Sequence, residues 1–229
     1  MPNTYQVKLH KKCEISRQLY SFQIDKPFDF KGGQFVAVLV AEKVKRFYSI
    51  ASAPYEDYIE FLVNTDPGGP GSQYFEKLQI GDKLEIMGPM GAFTFKSTGD
   101  TVFICTGTGL APCIAMIKAQ LHAGYKNGIH LLFGTRYDTH ILKEDELTEL
   151  TRQYPNFSFN LSVTRPTENW QVIDSEQIKK STGRVTEHLE QIDPNADYYI
   201  CGVKDMLESV KAKLLENNVP KERIYFEQY

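Results

Sequence analysis

Residues 101–121, TVFICTGTGLAPCIAMIKAQL, run from an apolar block through a glycine-containing turn into helical spacing, and few folds accept that order. Val102, Phe103, Ile104 and Cys105 form a continuous apolar run, as expected of a strand covered on both faces of a parallel sheet. Thr106, Gly107, Thr108 and Gly109 make the turn. Glycine takes positive φ and lets a ligand approach the backbone, while Pro112 suits the first turn of a helix. Ile114, Ile117, Lys118 and Leu121 then follow the i, i+3, i+4, i+7 pattern of a buried face, with Lys118 its polar interruption. Backbone N–H groups and the positive end of the helix would face the carboxyl edge of a sheet, where a nucleotide's phosphates fit. The same turn also fits a helix start that merely needs glycine. The dinucleotide fingerprint G-x-G-x-x-G is not met, because Pro112 holds its third position and no acidic residue lies about twenty residues on. A dinucleotide bound here would bind in another manner.

The chain on either side is patterned differently. From Thr4 to Ile86 short alternating segments, YQVKLHKKCEI, QLYSFQI, QFVAVLV, RFYSIAS, YIEFLVN and DKLEIM, are broken by turns, which predicts an antiparallel β-barrel. One helix, Ser72 to Leu78, interrupts it after PGGPG, with Ser72 as its expected N-cap. Beyond the polar junction FKSTGDT, apolar runs alternate with helical ones, the pattern of an α/β doubly wound parallel sheet. The expected architecture is two-domain, with an antiparallel β-barrel over residues 1–97 and an α/β domain over residues 98–229.

Composition narrows the function. A net charge of -3 gives no reason to expect nucleic acid as a partner. No apolar run approaches membrane-spanning length and MPNTYQVKLHKK lacks a signal-peptide core, so a cytoplasmic protein is expected. Cys13, Cys105, Cys113 and Cys201 are scattered, without a C-x-x-C pair or ferredoxin-like cluster, and the histidines are dispersed; no metal site is expected. Any iron–sulfur centre would belong to a partner.

Within RFYSIASAP, Arg46 and Tyr48 share one face of a strand while Phe47 and Ser49 share the other. An arginine beside a tyrosine can hold a phosphate and stack an aromatic ring; a surface pair on a barrel strand is the simpler reading of those residues alone. RFYSIAS, PGGPGSQYF, GPMGAF, CTGTGLAP, YYICGVKDM and the terminal FEQY then follow in the order and approximate spacing of the ferredoxin:NADP reductase family, which the chain resembles over nearly its whole length, most closely the compact bacterial type.

That resemblance implies an FAD-binding barrel joined to an NAD(P)-binding domain. It places the flavin at Arg46, Phe47, Tyr48, Ser49, Gly71 and Ser72, with Arg46 on a phosphate, Tyr48 against the isoalloxazine, Ser49 near its N5 and Ser72 at the pyrophosphate. It places the nicotinamide nucleotide at Thr106, Gly107, Thr108 and Gly109, at Cys201 and Gly202, and at Thr164 and Arg165. Ser49, Cys201, Glu227 and Tyr229 would form the catalytic shell, with Cys201 a positioning contact, Glu227 a proton link and Tyr229 covering the flavin until nicotinamide enters. The implied reaction is hydride transfer between NAD(P)H and FAD with electrons leaving to a separate carrier such as ferredoxin or flavodoxin, and Lys31, Lys43 and Lys45 near the flavin motif would favour an acidic one. An enzyme using flavin as a dissociable substrate, and a non-catalytic electron-transfer subunit, are the alternatives; a monomer is expected. Thr164-Arg165, with Arg136 as a further candidate, leaves NADPH and NADH both open.

Overall fold

The computed structural model describes residues 2–66, 68–189 and 192–228. They form two compact units: the chain up to Phe95 together with Ala111–Gln120, and Lys96–Leu110 together with the chain from Leu121 onward.

The first unit is built on a six-stranded antiparallel sheet of β1 (Asn3–Ser16), β2 (Leu19–Asp25), β3 (Phe35–Ala41), β4 (Val44–Ser49), β5 (Tyr58–Asn64) and β6 (Lys83–Met90), in the order β4-β3-β6-β1-β2-β5. The edge strands β4 and β5 share no ladder. The barrel closes instead just past β4, where Ala51 N–H donates to the Glu60 carbonyl at 2.8 Å. Alternation turns Val36, Val38, Phe22, Ile24, Ile59 and Phe61 inward, all fully buried. Helix α1 (Pro70–Lys77) seals this core with Phe75, whose ring lies 4.7 Å from Phe22 and 4.7 Å from Tyr48. Its N-cap is Gly69 rather than Ser72, because Pro70 takes the first helical position and moves Ser72 into the first turn. Its far end is held from β1, where Lys12 Nζ donates to the carbonyls of Phe75, Glu76 and Leu78 at 3.3, 2.8 and 3.0 Å, satisfying acceptors that a helix end leaves open.

Helix α2 (Leu110–His122) contributes its middle to this unit. Ala111 to Lys118 are all buried, so the helix is enclosed on every side rather than along one stripe. A Cβ on Gly32 would sit 2.9 Å from the Ala115 carbonyl, and one on Gly33 only 1.9 Å from the Phe93 carbonyl, so the KGGQF turn can reach α2 only without side chains. Lys118, 5% exposed, places Nζ 2.8 Å from both carboxylate oxygens of Glu56. Glu56 also accepts from Ala53 N–H and the Tyr58 hydroxyl.

The second unit carries a seven-stranded sheet: β7 (Thr101–Thr106), β8 (Ile129–Thr135), β9 (Phe157–Val163), β10 (Ile173–Asp174), β11 (Ile178–Thr182), β12 (Asp197–Gly202) and β13 (Ile224–Gln228), in the order β10-β11-β9-β8-β7-β12-β13. All neighbours are parallel except β10 on β11. Helix α3 (Glu144–Gln153) lies against β9. Helix α4 (Lys204–Glu216) packs Met206, Leu207, Val210 and Leu214 onto a cluster with Ile104, Leu132, Tyr198 and Ile200. On the opposite face Tyr199 stacks between Phe103 and Tyr225, at 5.1 and 4.7 Å. The alternation of strands and helices fails once: from β9 through β11 to β12 the described chain has no α-helix, only a 3-10 turn at Val185–His188.

Removing one partner of a buried ion pair costs about 3–5 kcal/mol, because the other charge is left without compensation, whereas replacing both is often near neutral. Lys118→Met should therefore lower the unfolding free energy toward the lower end of that range, since Glu56 keeps 16% side-chain exposure. Adding Glu56→Gln should recover a substantial part. Denaturant titration of both single variants and the double variant checks this, and strictly additive losses would show that the two groups are not coupled.

Candidate functional site

Each unit brings most of its sequence-predicted residues among the described ones to one place. In the first, β4 pairs with β3 so that Tyr48 faces Val36 and Arg46 faces Val38, both core valines. The two side chains thus share a face, and the start of α1 is seated on them: a Cβ on Gly71 would lie 2.4 Å from Tyr48 Oη and 3.2 Å from Arg46 Cγ. Only glycine allows the helix end to come so close. Gly69 supplies no side-chain cap, and the first intrahelical donor of this stretch is Gln73 N–H, bonded to the Gly69 carbonyl at 3.0 Å. The N–H groups of Gly71 and Ser72 are therefore the helix-end donors available to an anion, beside the Arg46 guanidinium. Arg46 is exposed, with Nη1 donating to the Lys45 carbonyl at 2.9 Å. Tyr48 has its ring against Phe75 and Phe61, and burial pushes its hydroxyl up to about 12, so it stays protonated. Ser49 closes β4, partly buried. Phe47 is not brought to this cradle; it points from the other face, 67% exposed, edge-on to Phe35 at 5.5 Å.

In the second unit the predicted residues line the carboxyl edge of the sheet. The chain leaves β7 at Thr106 and turns through Gly107–Gly109 as a 3-10 helix, Gly107 at φ 51, before α2 begins. Strands β8 and β12 flank β7, so the direction of winding reverses there, and such a switch point opens a crevice at the strand ends. Gly202 ends β12 in that crevice. A Cβ on it would lie 2.5 Å from Thr106 Oγ1 and 2.3 Å from Met206 Cε, so a side chain would occupy the space between the two strand ends. Cys201 is buried and registers with Cys105 on one side and Glu227 on the other. Farther along the same edge Thr164 and Arg165 follow β9, their N–H groups donating to the carbonyls of Thr135 and Arg136 at 3.1 and 2.8 Å. Arg136 and Arg165 therefore stand on adjoining strand ends, both exposed. Tyr229 lies outside the described residues.

Glu227 is the chemically distinctive group of this edge. Its Oε2 is buried with no hydrogen-bond partner among the described residues, and desolvation raises its pKa to about 7. A carboxyl so placed is close to half-protonated at neutral pH and can hold or release a proton. Sequence reasoning selected Glu227 but could not foresee its burial, which follows from the parallel register of β13 on β12. What it missed were Gly32, Gly33 and Glu56, whose roles depend on α2 lying against the barrel; the adjacent glycines were the only local signal. Among the described residues no group of three or more His, Cys, Asp or Glu side chains could hold a metal ion.

The residues fit the two implied groups. The cradle that Gly71 keeps open beside Arg46 suits a flavin's phosphates, and the glycine turn with its Cβ-intolerant neighbour Gly202 suits a nicotinamide nucleotide. Residues 6–95 match the oxidoreductase FAD-binding domain family and residues 103–212 the oxidoreductase NAD-binding domain family. Fold and site thus define a flavoprotein oxidoreductase that uses FAD and NAD(P). Ferredoxin--NADP reductase B of Sorangium cellulosum is 31% identical over 220 residues, covering 89% of this chain and 87% of its own length. The toluate 1,2-dioxygenase electron transfer component of Pseudomonas putida is 30% identical over 206 residues, and the matched part spans 59% of that longer protein. The crystal structure of a ferredoxin NADP+ reductase from Neisseria gonorrhoeae with bound FAD and NADP has the same fold, with a TM-score of 0.82 over 98% of both chains at 23% identity. The chain belongs to the ferredoxin:NADP reductase family.

Burial that raises the Glu227 pKa also makes stability depend on pH. An ordinary glutamate carboxyl has a pKa of 4.5. Between that value and about 7 the folded chain binds more protons at this site than the unfolded chain does, so this contribution to stability falls as pH rises through the window. Glu227→Gln should therefore have the higher melting temperature at pH above about 7, with the gap closing toward about pH 4.5. Thermal unfolding across that range decides it; a difference that grows toward acid pH would be the wrong sign.

Proposed function

We propose that the chain carries electrons between NAD(P)H and a separate one-electron carrier such as a ferredoxin or flavodoxin, with FAD held by the barrel. The observation that carries this reading is the start of α1 seated on Arg46 and Tyr48, a cradle for a pyrophosphate and a flat ring in one place. Bound there, FAD supplies the ability to accept a hydride at N5 and to give up electrons singly. Arg46 and the N–H groups of Gly71 and Ser72 hold the phosphates. Tyr48 positions the ring by stacking, and Ser49 donates to its polar edge. In the other unit Thr106, Gly107, Thr108 and Gly109 hold the nucleotide's phosphates, Gly202 leaves room for the nicotinamide and Cys201 orients it. Glu227 holds a proton at Oε2 and exchanges it near neutral pH. We place the functional boundary between the two binding domains after residue 97.

Two further features support finer parts of the proposal. Arg136 and Arg165, joined by a backbone hydrogen bond at the strand ends, suit the 2′-phosphate of NADPH, with Thr164 beside them. The exposed Lys43 and Lys45 lie within four residues of the exposed Phe47, and Lys31 belongs to the turn whose Gln34 carbonyl accepts from Ile50 N–H just past β4, so basic groups gather about this end of β4. An apolar centre with a basic rim suits an acidic carrier.

The FAD-loaded protein, mixed anaerobically with NADPH, should lose its flavin absorbance and then pass electrons to added ferredoxin or flavodoxin at a rate that falls with salt. Arg136→Ala with Arg165→Ala should reduce kcat/KM for NADPH by roughly tenfold or more, the loss of at least one charge-assisted contact, and leave NADH nearly unchanged. Turnover only when free flavin is supplied would replace this reading with a flavin reductase. No reduction by either nucleotide would leave a non-catalytic subunit.

A further inference from the structure

The missing crossover helix leaves a cavity of about 560 Å³ on one face of the second sheet, away from the nucleotide edge. Its floor is Val102 on β7, His130 and Leu132 on β8, Asn160 on β9 and Tyr198 on β12, which share a face because they are register partners or two apart on one strand. Leu189, beyond the 3-10 turn, adds a wall. Val102 and Tyr198 each stand four residues before the strand ends Thr106 and Gly202, about 13 Å at about 3.3 Å per residue, so the cavity and the nucleotide crevice are separate places on the sheet.

The lining is apolar and polar in about equal parts, with the apolar side chains on the floor and one wall, and its volume lies within the roughly 300–1,000 Å³ typical of small-molecule sites. Asn160 is 7% exposed; its Oδ1 accepts from Ser181 Oγ at 3.0 Å, which orients the amide, while Nδ2 has no partner among the described residues. His130 has Nδ1 at 2.9 Å from Ser158 Oγ, which leaves Nε2 for a second contact. Burial lowers the His130 pKa to about 4, so the ring is neutral. Each lysine at the rim has a carboxylate partner: Lys179 pairs with Asp174 at 3.1 Å, both exposed, and Lys180 pairs with Glu144. Asn160 Nδ2, without a protein partner among the described residues, is open to the cavity, where an acceptor atom of a ligand or a water can take its hydrogen bond.

We propose that this cavity is a second ligand site, for a small uncharged planar molecule whose carbonyl oxygen accepts from Asn160 Nδ2 and whose polar edge meets His130 Nε2, with its ring between Val102, Leu132, Leu189 and Tyr198. The assignment rests on the second unit alone and does not depend on which carrier the protein serves.

Para-fluorobenzamide, titrated into the FAD-loaded chain and followed by fluorine NMR, tests it. The expected result is saturable binding that survives saturating NADP+, shifts the Asn160 side-chain amide resonances, and is at least about tenfold stronger than that of para-fluorobenzoate. Asn160→Leu, which removes the donor, and Leu132→Trp, which fills the space from the neighbouring strand, should each weaken it by about tenfold while NADPH still reduces the flavin normally. Displacement by NADP+, which would put the probe in the nucleotide crevice, overturns the proposal. So do equal affinity for the benzoate, affinity unchanged in both variants, or no saturable binding, the result expected of a cavity that holds only water.

Discussion

The contact on which the first unit most depends is the buried pair of Lys118 and Glu56. A lysine that is 5% exposed in the middle of an otherwise apolar helix is costly to desolvate, and only a carboxylate held on it by both oxygens makes the position tolerable. Glu56 is in turn fixed by Ala53 N–H and the Tyr58 hydroxyl, so the loop between β4 and β5 is shaped around the ammonium group. The same loop carries Ala51, whose N–H closes the barrel onto Glu60. This ion pair thus helps to place α2 on the barrel and to shape the loop whose Ala51 closes β4 toward β5. Apolar packing alone would hold the helix as firmly but would allow it to slide, and the backbone-level fit at Gly32 leaves little room for sliding.

The second unit solves a different problem. Strand ends at a switch point diverge, and the crevice between them is useful only if no side chain fills it. Gly202 and Gly107 keep it open, one by lacking a Cβ that would meet Thr106 and the other by turning the chain at positive φ. Every predicted residue of this unit that falls among the described ones lies on that edge, because parallel strands bring all their carboxyl ends to one side. Glu227 joins them through one register relation, Glu227 opposite Cys201, and the same relation buries its carboxylate.

Parts of this were legible in the sequence for identifiable reasons. VFIC and YYICG are unbroken apolar runs, and IHLLFG is broken only by His130, which reads as strands covered on both faces; the alternating segments before Ile86 read as half-buried ones. Arg46 and Tyr48 share a face by simple alternation, and the structure joins them to Gly71. Other features depended on partners distant in sequence. Lys118 reads locally as a flaw in an apolar stripe, and only Glu56, in another segment, makes it a structural centre. Strand β11, IKKST, has a single large apolar residue and lies under β10 near the sheet's edge, so neither periodicity nor hydrophobicity announced it. Ser72 has the chemistry of an N-cap, but Pro70 had already fixed where the helix starts.

The sequence FSFNLSV of β9 holds a further clue that alternation alone would misread. A strand buried in a parallel sheet should be apolar on both faces, yet Ser158, Asn160 and Ser162 all fall on one. Read as a half-exposed strand, β9 would belong at an edge, but it pairs on both sides with β8 and β11. The structure answers each polar group from its own face: Ser158 bonds His130, Asn160 accepts from Ser181, and Ser162 donates to the Gly183 carbonyl at 2.6 Å. Bonded in this way by neighbouring strands and a loop, these groups need no partner from a covering helix. The polar face of β9 thus lies where the described crossover from β9 to β12 carries no α-helix, and the cavity opens on that same face.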